Sequence, residues 1–104
     1  MYKLDFTKSF HKDVKASVNY IKNVLQNPIA AKRLKDEIKK SYQKVKEAPF
    51  IYPVVPDEHL ASLGFRFILV KNYMIFYIVE DKKVNIVRFL YGYRDWKNIL
   101  ENMN

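Results

Sequence analysis

The sequence predicts an α+β domain: a short N-terminal strand, an antiparallel helical hairpin packed on an antiparallel sheet (β-α-α-β-β-β), and a short C-terminal helix. Three observations predict it. Apolar residues recur at three- and four-residue spacing through Phe10, Val14, Val18, Ile21 and Leu25, and again through Ala31, Leu34, Ile38, Tyr42 and Val45; each series is the stripe of an amphipathic helix. From Phe65 the period falls to two, in the runs Phe65–Val70, Tyr73–Val79 and Val84–Tyr91, as in half-buried strands. The joints within each group are short, which makes consecutive elements antiparallel neighbours.

Taken in order, Tyr2 to Phe6 alternates weakly and reads as a strand that joins the sheet at an edge. Thr7 is placed to cap the first helix. Asn27-Pro28 closes that helix and opens the second, because Asn caps and Pro at the first helical position loses no needed hydrogen bond. Ala48-Pro49 ends the second helix. The stretch Phe50–Ser62, with Pro53 and Pro56, is expected to be ordered but irregular, since proline restricts itself and its predecessor. Lys71-Asn72 and Glu80-Asp81-Lys82-Lys83 then join the strands of a meander, and Asp95, Trp96, Ile99 and Leu100 suggest the closing helix. A single domain over residues 1–104 fits this length.

A two-residue turn at Lys71-Asn72 places Val70 opposite Tyr73, Ile68 opposite Ile75 and Arg66 opposite Tyr77. One face of that hairpin is then Phe65, Phe67, Leu69, Met74, Phe76 and Ile78, wholly apolar, and is expected to lie on the helices, with Phe67, Leu69 and Phe76 against Val14, Val18, Leu34 and Ile38. The opposite face carries Arg66, Tyr73 and Tyr77. If Val79 pairs with Val84, Arg88 joins that second face opposite Ile75, giving an open, aromatic, arginine-bearing surface.

Composition narrows the chemistry. Nineteen Lys and Arg against eleven Asp and Glu give +8, with no cysteine and two glycines. Disulfides, thiolate metal sites and cysteine nucleophiles are excluded, and there is no glycine-rich phosphate loop. No signal-peptide core or membrane-length apolar run is visible, so a cytoplasmic protein is expected. The charge favours an anionic partner, nucleic acid or an acidic protein; its alternative is a lysine-rich protein with ordinary solvated helices. His11 and His59 lack metal-ligand spacing, so no metal or other cofactor is expected.

The clearest constellation is Arg66, Tyr77, Arg88, Tyr91 and Arg94. Arginine offers a planar fork suited to phosphate, and tyrosine offers a stacking ring with a hydroxyl. On an open sheet the set suits RNA or an acidic peptide; equally, these are ordinary strand residues and packing tyrosines. Trp96 is expected to anchor the terminal helix.

The order of these pieces resembles the RelE/ParE toxin superfamily from end to end: Thr7 capping the first helix, Asn27-Pro28 with Ala30-Ala31, Gly64-Phe65-Arg66, Val70-Lys71-Asn72-Tyr73, Ile75-Phe76-Tyr77, and Arg88 through Trp96. The resemblance implies the toxin of a type II toxin–antitoxin system, a plasmid-stabilising growth arrester held in a hetero-oligomer by a cognate antitoxin. Its target is then DNA gyrase, inhibited by binding as by ParE-like members, or mRNA on the ribosome, cut without metal as by RelE-like members. A basic RNA- or protein-binding module without toxicity is the third reading. For a nuclease the matching basic positions are Arg66 and Arg94, with Tyr91 or Tyr93 in place of an absent tyrosine. Met74, Leu100 and Ile68 stand where RelE-like members carry arginine, tyrosine and lysine, which tilts the balance toward gyrase. The target-binding set on either reading is Arg66, Lys71, Tyr77, Arg88, Tyr93 and Arg94.

Overall fold

A computed structural model of the chain describes residues 1–103. β1 (Lys3–Phe6) leads into α1 (Lys8–Asn19), which runs on into a π turn over Tyr20–Val24, and α2 (Pro28–Glu47) returns alongside. After the linker come α3 (Glu58–Ser62), β2 (Arg66–Val70), β3 (Tyr73–Glu80), β4 (Lys83–Tyr91) and α4 (Trp96–Glu101). The strands form one sheet in the order β1-β4-β3-β2. β1 takes an edge, as expected, and lies parallel to β4; the other pairs are antiparallel. Among the described residues, no helix is long and apolar enough to cross a membrane.

The caps are those the sequence suggests. Thr7 Oγ1 accepts from the Phe10 amide at 3.0 Å, and Asn27 Oδ1 from the Ala30 amide at 3.1 Å. Two local features differ from the reading above. Asp57 Oδ2 accepts from the Leu60 amide at 3.0 Å, so the end of the linker winds into α3 and drives Leu60 into the core, fully buried. And α1 does not hold its phase: the Leu25 amide donates to the Tyr20 carbonyl, five residues back, at 3.0 Å. A π turn holds more residues than an α turn. Leu25 therefore swings out of the stripe and stands 56% exposed, beside Val24 at 64%.

The hairpin register is as read, with Arg66 opposite Tyr77, Ile68 opposite Ile75 and Val70 opposite Tyr73. Val79 pairs with Val84, and pairing continues to Glu80 and Lys83, so the second turn is only Asp81-Lys82, with Asp81 at φ +54°. A bulge then intervenes. Phe76 faces Arg88 and Tyr77 faces Ile86, leaving Val87 unmatched. Arg88 accordingly lies opposite Phe76, not Ile75; Phe89 takes the place beside Ile75.

The larger correction concerns the faces. The helical hairpin lies on the face of Ile68, Val70, Ile75, Tyr77, Val84, Ile86 and Phe89, where Phe10, Leu34, Ile38 and Val45 meet it. The face of Phe65, Met74 and Phe76 packs instead with Val55, Leu60, Val87, Leu90 and Leu100, under α3, α4 and the linker. Both faces are apolar, and the polar tips on the first reach partners at its margins, so it is buried rather than open. Phe76 is fully buried, but against α4, with its ring 5.4 Å from Trp96. Trp96 thus anchors the last helix, as anticipated.

Leu69 and Ile68 report this arrangement directly, since Leu69 is 67% exposed and Ile68 only 5%. Ile68→Ala is expected to cost about 2–5 kcal/mol in denaturant unfolding and Leu69→Ala under about 0.5 kcal/mol. The opposite order would mean that the strand faces are exchanged.

Candidate functional site

Three members of the arginine–tyrosine set are engaged within the fold. Arg66 sends its guanidinium to the linker, donating to the carbonyls of Tyr52 at 2.5 Å and Phe50 at 3.4 Å, with the Phe50 ring 5.2 Å beneath it. Tyr77 is fully buried and donates its hydroxyl to the Pro49 carbonyl at 2.5 Å. Burial raises its pKa well above the ordinary tyrosine value, while Arg66 pulls the other way. These two side chains hold the linker over the end of the sheet.

Arg88 is held where the edge of β4 loses its strand partner. β1 accompanies β4 only as far as Ile86, and beyond that point α1 supplies the partners. The Thr7 amide donates to the Ile86 carbonyl at 3.1 Å, and Thr7 Oγ1 to the Val87 carbonyl at 2.6 Å. Asp13 accepts from the Phe89 amide at 3.0 Å and grips Arg88 with both oxygens, at 2.7 and 2.9 Å. The pair is largely dry, the two side chains being 19% and 12% exposed.

The remaining members, Lys71, Tyr91, Tyr93 and Arg94, gather at the other end of the sheet. Arg66 lies across from Tyr77 and Tyr91 across from Tyr73, so four strand residues, roughly 13 Å, separate the two places. The proposed pairing of Arg66 with Arg94 is therefore not assembled. Gly92 makes the local gathering possible. Its amide donates to the Asn72 carbonyl at 2.7 Å, and a Cβ there would stand 3.1 Å from that oxygen. The close approach ties the turn carrying Lys71, itself at φ +57°, to the segment Tyr91–Arg94.

That end opens into a groove of about 940 Å³ between the sheet and the helical hairpin. Leu34, Phe89 and Ile21 line it from the core side, Tyr20 and Leu25 from the π turn, and Arg33, Lys71, Tyr73, Tyr91 and Arg94 around them. The rings form a ladder leading outward: Tyr73 stacks on Phe89 at 4.7 Å, Tyr91 lies edge-on to Tyr73 at 5.5 Å, and Tyr93 follows at 5.3 Å. Exposure climbs along it from 1% at Phe89 to 85% at Tyr93. The lining contains one carboxylate, Asp13, already satisfied by Arg88 and the Phe89 amide. Apolar walls with three exposed cations suit a partner segment that is apolar on one side and acidic on the other.

Sequence reasoning missed Arg33, Tyr20 and Leu25. Arg33 reads as part of a solvated helix face, and nothing in the apolar spacing announces the π turn. Among the described residues no cluster of His, Asp and Glu suits a metal ion. Met74 and Leu100 are buried core residues, at 7% and 2% exposure.

Asp13 is the residue on which this end of β4 depends. Asp13→Ala is expected to lower stability by about 3 kcal/mol, because it strands a largely desolvated guanidinium and a strand amide together. A loss under about 1 kcal/mol in denaturant unfolding would show that water replaces the carboxylate without cost.

Comparison with known proteins agrees with this architecture. Residues 4–96 match the family described as ParE toxin of type II toxin-antitoxin system, parDE. Among solved structures, the chain resembles one from the chromosomal ParDE toxin–antitoxin system of P. aeruginosa, with a TM-score of 0.71 at 19% identity, covering 88% of this chain and 96% of that one. At this identity the likeness speaks for the fold. A conserved hypothetical protein from Helicobacter pylori is more distant, with a TM-score of 0.49 at 18% identity over 86% of this chain and 93% of that one, and carries no weight. No curated protein matches the chain. With the family matched over nearly the whole sequence and the β-α-α-β-β-β order observed, the chain belongs to the ParE toxins of type II toxin–antitoxin systems, within the RelE/ParE superfamily.

Proposed function

We propose that this toxin arrests growth by binding DNA gyrase through the groove at Lys71, Tyr91 and Arg94, and that it does so by occupancy rather than by bond cleavage. ParE toxins typically inhibit gyrase. The observation that carries the reading is the dispersal of the arginines. A phosphate-cleaving centre needs its cations converging on the developing charge, whereas Arg66 is spent on linker carbonyls and Arg88 on Asp13. What is left free, Lys71, Arg94 and the tyrosine ladder beside an apolar trough, is an interaction surface. No cofactor enters this account. The toxin works where gyrase does, in the cytoplasm, and a ParD-type antitoxin neutralises it in a hetero-oligomer by laying an apolar, acidic segment over the same surface.

The ribosome-dependent reading keeps one supporting observation, the closeness of Tyr91, Tyr93 and Arg94. A purified comparison separates the two. The protein is expected to block supercoiling by gyrase in a system free of ribosomes, and to leave mRNA on programmed ribosomes intact. Tyr91→Ala should raise the half-inhibitory concentration about tenfold or more, as for an aromatic anchor. Codon-dependent cleavage without any effect on supercoiling would replace gyrase by mRNA as the target.

A further inference from the structure

A second surface lies away from the groove, and nothing in the gyrase reading uses it. Two clefts adjoin along α2. The larger, about 860 Å³, runs between β1 and α2 and is lined by Lys3, Lys39, Lys46 and Lys82. The smaller, about 300 Å³, runs between α1 and α2 and is lined by Lys15 and Lys35. Tyr42 lines both, and the Phe6 ring of the first cleft lies 5.5 Å from the His11 ring of the second. The result is a continuous trough bearing six lysines, and its lining includes no Asp or Glu. The acidic residues of α2 line neither cleft: Glu37 pairs with Lys40 at 3.4 Å, Glu47 accepts from the lining residue Gln43 at 2.7 Å, at the trough's margin, and Asp36 is absent from both linings. The excess positive charge of the chain is therefore not evenly spread.

We propose that this trough binds the phosphate backbone of duplex DNA, without reading sequence. Lys35, Lys39 and Lys46 follow one stripe of α2, and the eleven helical steps from first to last span roughly 16 Å. That length matches about five phosphates of one strand, at about 3.4 Å of duplex axis each. Lys3 and Lys82 extend the row past the end of the helix. The residue type also points to the backbone. Lysine is a point charge without the planar fork that reads guanine edges, and the trough has no arginine. Single strands are held by open ring faces, and the rings here are engaged. Tyr42 is half-buried and packs edge-on with Phe6 at 5.1 Å; Tyr2 packs on Phe50 at 6.3 Å, with the Lys82 ammonium 6.0 Å over its ring. A rigid duplex laid along the trough needs neither base contacts nor stacking.

The experiment is fluorescence anisotropy of the full chain with a labelled duplex of arbitrary sequence, from 50 to 200 mM salt, about the range over which counterion release dominates. Binding should weaken with a log–log salt slope of about −4, the value for four to five neutralised phosphates. The triple variant Lys35→Glu, Lys39→Glu, Lys46→Glu should lose at least about tenfold in affinity and make the slope shallower by about 3. The matched variant Lys32→Glu, Lys40→Glu, Lys44→Glu changes the same helix and the same net charge on residues that line neither cleft, and should retain affinity within about threefold. Circular dichroism of each variant checks folding, and Lys39→Glu alone, expected to shift the slope by about 1, serves if a triple variant does not fold. Equal losses in both triples would reduce the effect to net charge and overturn the site. Tighter binding of a single strand or of RNA than of the duplex would overturn the choice of ligand, as would absence of binding at 50 mM salt. Supercoiling inhibition by the trough triple is a separate readout, so failure here leaves the groove reading intact.

Discussion

A four-stranded sheet that is apolar on both faces must be covered twice, and a short chain has little with which to do it. The helical hairpin covers one face through Phe10, Leu34, Ile38 and Val45. The other is left to a five-residue helix, a six-residue helix and a linker, which supply Leu60, Leu100, Trp96 and Val55. Holding those light elements in place requires fixed points, and the fold recruits polar side chains from the sheet as tethers. Arg66 and Tyr77 bind linker carbonyls, and Trp96 leans on Phe76. A similar demand acts at the strand edge, where Asp13 and Thr7 replace a missing strand beside Phe89 and Val87. Unpaired edge groups are costly and invite wrong pairing.

This economy decides which residues remain for function. The arginines within the strands, Arg66 and Arg88, are consumed by architecture, and free cations survive at the turn and strand terminus by the groove and where helix surface faces solvent. At the sheet end, the turn at Lys71 and the strand terminus at Arg94 are fastened through Gly92, beside rings that grade from core to solvent. The π turn contributes by lifting Leu25 to the groove. On the proposed reading, stability and recognition draw on different arginines.

The sequence made much of this legible. Period and capping located the helical hairpin, the strands and their pairing, because Thr7, Asn27 and the Lys71-Asn72 turn carry local signals strong enough to act alone. Three things were hidden. The bulge at Val87 has no local signature among Val84–Tyr91, and it moves Arg88 from one partner to the next. The choice of face turns on tertiary contacts: Arg66 and Tyr77 look solvent-facing until Pro49, Phe50 and Tyr52 are folded back over them. And Arg33 joins Lys71 and Arg94 only because the hairpin lies on that face. Of the candidate site residues, Lys71, Tyr91, Tyr93 and Arg94 come together, while Arg66, Tyr77 and Arg88 serve as ties.

The division of labour between Arg66 and Arg94 is the centre of this account, and one paired measurement addresses it. Arg66→Ala and Arg94→Ala are compared for thermal midpoint and for supercoiling inhibition per folded molecule. Arg66→Ala should lower the midpoint by several degrees, as about 1 kcal/mol does in a domain of this size, and inhibit as the parent does. Arg94→Ala should keep the midpoint and lose at least about tenfold in inhibition. If Arg66→Ala left stability unchanged and abolished inhibition, the two arginines would belong to one active centre, and the separation argued from the structure would be contradicted.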